Sequence, residues 1–294
     1  MALGHSRQPR PEEQRGTEGA VLWPAAGDDV FTTDRLSLPG PLDLVAAYCW
    51  TVRWRRRAPT PFRQQVLTHP VTHLTVEAAE MAEGATMHGF AMPAALVHGL
   101  VTRVFEVQLP AAGRVSAVAF RPGGLAALLD IDVRTLTDSV VAAHQVFGPD
   151  VDAVAAAVLA EPAEERRRDL LAGYLAEVLA PRLERVRDDD AYRTVREAVT
   201  LMRAREVVTL APVAERLHVA PRTLQRRFAR YVGASPLWVL RRYRLQDAVA
   251  ALDAGEGHDL SELAASLGFA DHAHFSRHFA AVVGVPPSHY RDGR

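Results

Sequence analysis

Between Arg216 and Arg244 the chain carries eight arginines and no acidic residue. An arginine fork can pair with both major-groove acceptors of guanine, and a glutamine amide with the two edge groups of adenine. Arg222, Gln225 and Arg226 are the leading polar residues of this stretch. A second set, His272, His274, Ser276 and Arg277, lies about fifty residues downstream. Imidazole and hydroxyl groups can serve either bases or phosphates. Thr209, Arg227, Arg230, Arg241, Arg242, Arg244 and His278 surround the two sets as candidate phosphate contacts. The formal net charge of the whole chain is -1, so the distribution of charge, not its total, points to a polyanion. No lysine occurs and all 34 lysine-or-arginine positions are arginine, which fits a GC-rich coding sequence, so the choice of arginine over lysine carries little functional weight.

These residues need elements to hold them, and an internal repeat supplies them. Leu224-x-Arg226-x-Phe228-x4-Gly233-x2-Pro236 is answered by Phe275-x-Arg277-x-Phe279-x4-Gly284-x2-Pro287, each pair 51 residues apart. Upstream, Val213-Ala214 and Leu217 match Leu263-Ala264 and Leu267 at an offset of 50, so the second copy has one extra residue in its turn. Each copy reads as helix, tight turn, helix. In the first, Thr209 is expected to cap a helix from Leu210 to Leu217. Pro221 then opens the second helix, where proline costs little, and Gly233 ends it. In the second, Asp259 or Ser261 caps, Gly268 stops the first helix, Asp271 caps the next and Gly284 ends it. Leu224, Phe228, Phe275 and Phe279 face inward, which turns the leading polar residues outward. From Pro236 to about Ala254 the pattern is one long helix with Leu237, Leu240, Tyr243, Leu245, Ala248 and Leu252 on its apolar face. Such a rod can hold two short helices on one side of a duplex, with Arg241, Arg242 and Arg244 toward phosphates.

The second copy resembles the AraC/XylS family of bacterial regulators through Leu260–Phe269, Phe275-Ser276-Arg277-His278-Phe279 and Gly284–Arg291. The first copy is similar through Leu224–Phe228 and Gly233–Pro236. It departs at Ala220, where the family usually has a capping serine, and the second copy at Ala273, often polar in relatives. The resemblance covers about residues 193–293. It implies that Arg222, Gln225 and Arg226 read bases in one major-groove segment and His272, His274, Ser276 and Arg277 in the next. Arg226 and Arg277 remain open to a phosphate or an internal acid instead. Trp50–Trp54, Leu67–Pro70 and Phe120–Gly124 resemble the N-terminal domains fused to such regulators, which implies a cupin-like sensing or dimerising domain.

The remaining chain is read as follows. Residues 1–28, rich in Pro, Glu, Gly and Arg, are expected to form a disordered tail. Residues 29–150 make a β-rich domain, with strands at Tyr48–Trp54, Gln65–Thr68, His73–Val76, Val97–Phe105 and Arg114–Phe120 and a short helix at Leu125–Leu129. Residues 151–192 form a helical connector and 193–294 the all-α domain, so the fold class is α+β. The stripe Leu170, Leu171, Tyr174, Leu175, Val178 and Leu179 packs on its own chain or on a second copy, and Asp188–Asp190 reads as a linker. One cysteine, Cys49, excludes an internal disulfide and a thiolate zinc cluster, and reads as a small buried hydrophobe. His69, His73 and His88 invite a metal, but no companion carboxylate stands at a recognisable spacing, so neither metal nor cofactor is expected. Core packing is the expectation for Trp50 and Trp54. No run is apolar enough to span a membrane and the start lacks a signal peptide, so a cytoplasmic protein is expected. The expectation is a regulator and not an enzyme. Its partners would be double-stranded DNA, a small-molecule effector, a second copy, and RNA polymerase if it activates. The alternative is a cupin-type metal enzyme or a DNA-repair protein fused to a DNA-binding module.

Overall fold

The computed structural model describes residues 20–22, 31–38, 40–55, 62–204, 206–256 and 259–293. The N-terminal half is built from two antiparallel sheets. Strands β1 (Ala20–Leu22), β4 (Phe62–Leu67) and β7 (Phe105–Leu109) form the smaller, in the order β1-β4-β7. The larger joins β2 (Phe31–Leu36), β3 (Ala46–Arg55), β8 (Ala112–Phe120), β5 (His73–Ala79), β6 (Ala94–His98) and β9 (Val140–Ala142), in the order β2-β3-β8-β5-β6-β9. β8 lies inside this sheet, and its alternating Val, Ala and Phe residues are almost all buried. Trp54 packs with Leu109, Val115 and Ala117, and its Nε1 donates to the Pro110 carbonyl at 3.1 Å, so the tryptophan serves the core. Cys49 on β3 is buried, and that burial pushes its thiol up to about 12.

Helices follow. They are α1 (Gly124–Leu129), α2 (Ala143–Phe147), α3 (Asp150–Ala160), α4 (Glu164–Leu179), α5 (Leu183–Asp188) and α6 (Asp190–Arg203). The C-terminal repeat then supplies α7 (Ala211–Arg216), α8 (Pro221–Val232), α9 (Pro236–Asp253), α10 (Leu260–Ser266), α11 (His272–Val283) and α12 (Pro287–Asp292). The α+β reading is therefore correct. The apolar stripe on α4 packs inside its own chain: Leu171, Tyr174, Leu175 and Leu179 are buried, with Leu170 at its exposed margin.

Four sequence expectations change. Ala20–Leu22 is a strand paired with Gln65–Leu67, not tail, while 1–19 and 23–28 lie outside the described residues. The run Val97–Phe105 is not one strand. It breaks after His98, and Phe105 enters the other sheet. At Gly99 a β-carbon would sit 1.7 Å from the Leu136 carbonyl oxygen, so only glycine allows the close approach that ends β6. The acidic triplet is not a linker either. Asp188 ends α5, Asp189 caps α6 by accepting from the Tyr192 amide at 2.9 Å, and Asp190 starts it. Finally, Thr209 caps nothing: α7 begins at Ala211 with Leu210 in the cap position and no side-chain bond.

The main core ignores the boundaries expected at 150/151 and 192/193. One cluster runs from Leu38 and Phe120 in the sheet region through Leu175 and Tyr192 to Phe228 and Tyr243. A second joins Leu22 and Leu67 of the small sheet to Leu245, Leu252, Phe275, Phe279 and Tyr290. α9 belongs to both. Val239, Leu240 and Tyr243 enter the first cluster, and Leu245, Ala248, Val249 and Leu252 the second. Among the described residues no helix is long and apolar enough to cross a membrane.

Candidate nucleic-acid interface

Both repeat units fold as helix, turn, helix, the first without side-chain caps and the second with aspartate caps on both helices. α8 starts at Pro221 after Ala220 and stops at Gly233, whose φ of 84° is the left-handed conformation a glycine takes without strain. α11 starts after Asp271, which accepts from the His274 amide at 2.6 Å, and stops at Gly284 with φ 91°. Asp259 caps α10 by accepting from the Ser261 and Glu262 amides. Leu224 and Phe228 on α8, and Phe275 and Phe279 on α11, are buried as expected.

The outward residues then divide. On α8, Arg222, Gln225 and Arg226 are exposed, and their spacing places them on one helix face. Among the described residues none of the three side chains has a hydrogen-bond or ion-pair partner. On α11, Arg277 is exposed, and His272 and Ser276 sit one turn apart with Oγ and Nε2 3.2 Å from each other. His274 is half-buried and turns its ring edge toward Phe269, 5.6 Å between centroids. His278, one turn on, leans on the same Phe269, and burial lowers its imidazole below the ordinary range. The structure thus brings His272 and Ser276 together, with Arg277 beside them, and sets His274 and His278 against the aromatic core. Neither α8 nor α11 contains an acidic residue.

The expected phosphate contacts fare differently. Thr209 is exposed and Arg241 half-exposed, both open to solvent. Arg230 is exposed but pairs with Asp130 at 2.5 Å. Arg227 bonds to Asp190 at 3.0 Å and to the Thr194 hydroxyl, and Arg193, with Arg227 second, holds the Asp190 carboxyl below the usual carboxylate range. Arg242 and Arg244 correct the sequence reading outright, for each is only 2% exposed. Arg242 donates to the carbonyls of Val101 at 2.9 Å and Arg103 at 3.2 Å and stacks on Trp238, and burial pushes its guanidinium down to about 10. Arg244 donates to the carbonyls of Met202, Ala204 and Val207 at 2.6, 2.7 and 3.2 Å and to Asp247 at 2.5 Å. α9 is enclosed on most sides, so Arg242 and Arg244 close off backbone acceptors, while Arg241 stays open to solvent.

The histidines of the sheet region also separate. His69 tilts toward Tyr243, and His73 accepts from Trp50 Nε1 at 3.2 Å. Burial pushes the His73 imidazole down to about 3. His88 alone joins a polar cluster, and its companions, Glu77 and His98, went unnoticed in the sequence. The signal that finds them is register: His98 pairs across the sheet with His73, which shares a strand face with Thr75 and Glu77.

Residues 213–293 match a family described as a helix-turn-helix domain, and residues 39–142 match a domain of unknown function (DUF6597). The chain is 36% identical over 83 residues to an AraC-like transcription regulator of Streptomyces lividans, covering 28% of this chain and 27% of that protein. It is 35% identical over 89 residues to the HTH-type transcriptional activator RhaS of Escherichia fergusonii, covering 30% of this chain and 32% of that one. It therefore spans about a third or less of the curated relatives that it matches. An AraC-type regulator structure from Chromobacterium violaceum aligns with 34% of this chain and 90% of its own at 26% identity, with a TM-score of 0.32.

Proposed function

We infer that this chain, with its AraC-type helix-turn-helix domain at residues 213–293, is a sequence-specific DNA-binding transcription regulator whose sheet region senses an effector or a second copy. The observation that carries the reading is the exposed, unpaired trio Arg222, Gln225 and Arg226 at the start of α8. It is matched by His272, Ser276 and Arg277 at the start of α11. Helix-turn-helix proteins lay the start of the second helix against base edges. α9 has 18 residues, which at about 1.5 Å each makes a rod of roughly 27 Å. That approaches the ~34 Å between successive major-groove faces on one side of a duplex. Arg216, Arg241 and Thr209 supply phosphate contacts around the two reading helices, and His274 and His278 support the second from behind.

The test uses the full chain in a random-oligonucleotide selection, followed by affinity measurement on the selected site and on unrelated duplex. Arg226→Ala and Arg277→Ala should each cost about 1–3 kcal/mol on the selected site and much less on unrelated DNA. Equal losses on both would reduce these arginines to phosphate contacts, and a selection that enriches no sequence would overturn the reading.

A further inference from the structure

We propose that Glu77, His88 and His98 form a binding site for a divalent first-row metal ion of the zinc or iron(II) class. One ligand atom from each residue lies within 4.8 Å of the other two. His98 Nε2 is 2.8 Å from Glu77 Oε1, and His88 Nε2 is 3.4 Å from Glu77 Oε2. All three side chains are withdrawn from water, at 3%, 10% and 8% exposure for Glu77, His88 and His98. Two imidazoles and one carboxylate suit zinc or iron(II), whereas calcium and magnesium prefer oxygen donors alone.

Each ligand is held by its surroundings. Thr75 Oγ1 donates to Glu77 Oε1 at 2.6 Å, the outer-shell support that orients a ligating carboxylate. His98 closes β6, immediately before the glycine that ends the strand. His88 stands on the β5–β6 connection with a φ of 56°. Reciprocal backbone bonds between Met87 and Phe90, both 2.9 Å, clamp that turn. The His88 and His98 rings meet edge to face at 4.9 Å, and Phe105 walls both at 5.5 and 5.9 Å. Bonds of roughly 2.0–2.2 Å to each donor are reached by small side-chain rotations. The proton that each ring shares with Glu77 then moves to Nδ1 or leaves for solvent, freeing the Nε2 lone pair. Three protein ligands leave at least one coordination position for water or an oxygen of a small molecule. His73 takes no part, because its Nδ1 already accepts from Trp50.

This site does not depend on the DNA reading, and its test involves no DNA. The full-length protein is stripped with a chelator, and zinc ion alone is titrated in by calorimetry, with cobalt(II) absorption reporting the donor set. One ion per chain is expected. His88→Ala and Glu77→Gln should each weaken binding by at least about a hundredfold, and Thr75→Val by roughly 10–100-fold. Circular dichroism checks the variants' fold. Should Glu77→Gln fail to fold, His88→Ala, altered on a connecting turn, decides. Absence of stoichiometric binding, or binding that His88→Ala leaves unchanged, overturns the site.

Discussion

The two helix-turn-helix units share a sequence pattern but not their surroundings. Positions 51 apart that match, Leu224 with Phe275, Arg226 with Arg277, Phe228 with Phe279 and Gly233 with Gly284, build the unit and its outward face. Positions that do not match fasten the first unit to the rest of the chain. Arg227, Arg230 and Tyr231 bind Asp190, Asp130 and Asp189, and their counterparts are His278, Ala281 and Val282. The Thr137 hydroxyl donates to the Gly233 carbonyl at 3.2 Å, and Tyr231 stacks with Tyr192 at 6.1 Å. α11 packs instead on its own unit, on α12 and against Phe269, in the cluster that also takes in Leu22 and Leu67 of the small sheet. Duplicated motifs can thus offer the same face to a ligand while one is docked and the other is carried at the end of a rod.

The largest expected effect separates the docked arginines from the free ones. Arg244→Ala should destabilise the chain by about 2 kcal/mol or more, because the Met202 and Val207 carbonyls lose their donor at roughly 1–3 each, while the Ala204 carbonyl keeps the Val207 amide. Arg241→Ala, one residue from the buried Arg242, should leave stability within about 0.5 kcal/mol and weaken DNA binding instead. Urea denaturation of both variants decides. Equal effects would erase the distinction between inner and outer arginines.

A smaller effect compares the two terminal glycines. Alanine at φ 84° or 91° carries a left-handed cost of about 1–2 kcal/mol at either site. At Gly233 the new β-carbon would also sit 2.5 Å from Thr137 Oγ1, whereas nothing lies within 4 Å at Gly284. Gly233→Ala should therefore be clearly the more destabilising in chemical denaturation. Equal losses would mean that the first unit is not held to the sheet region at this point.

The smallest effect is on Asp130. Its pair with Arg230 is exposed on both sides, so Asp130→Ala should change stability by less than about 1 kcal/mol. It frees the Arg230 cation on α8, and the slope of log affinity against log salt should steepen by about one unit. An unchanged slope would place Arg230 away from the duplex.

What the sequence made legible was local. Caps at Asp259 and Asp271, stops at Gly233, Gly268 and Gly284, and the four-residue spacing of Leu224 and Phe228 are all decided within a turn or two of helix. The inward turn of Arg242 and Arg244 was not legible, because their acceptors are main-chain carbonyls of Val101, Arg103, Met202, Ala204 and Val207, which any residue type supplies. The Glu77, His88 and His98 cluster stayed hidden for a related reason. Its carboxylate and second imidazole meet only through strand register, and 21 residues separate them. The strand at Ala20–Leu22 was missed because its partner, β4, lies more than forty residues on.

The passage of α9 from one core into the other bears on how the chain can be divided. The two family matches, 39–142 and 213–293, suggest a cut near the middle of the helical connector. Such a cut would bare Phe228, Tyr231 and Tyr243 on one fragment and their partners from the sheet region on the other. Leu22 and Leu67 would likewise be stripped from Leu245 and Leu252. Sequence kinship draws two modules here, but severing the chain between them leaves two pieces that each expose half of a shared interior.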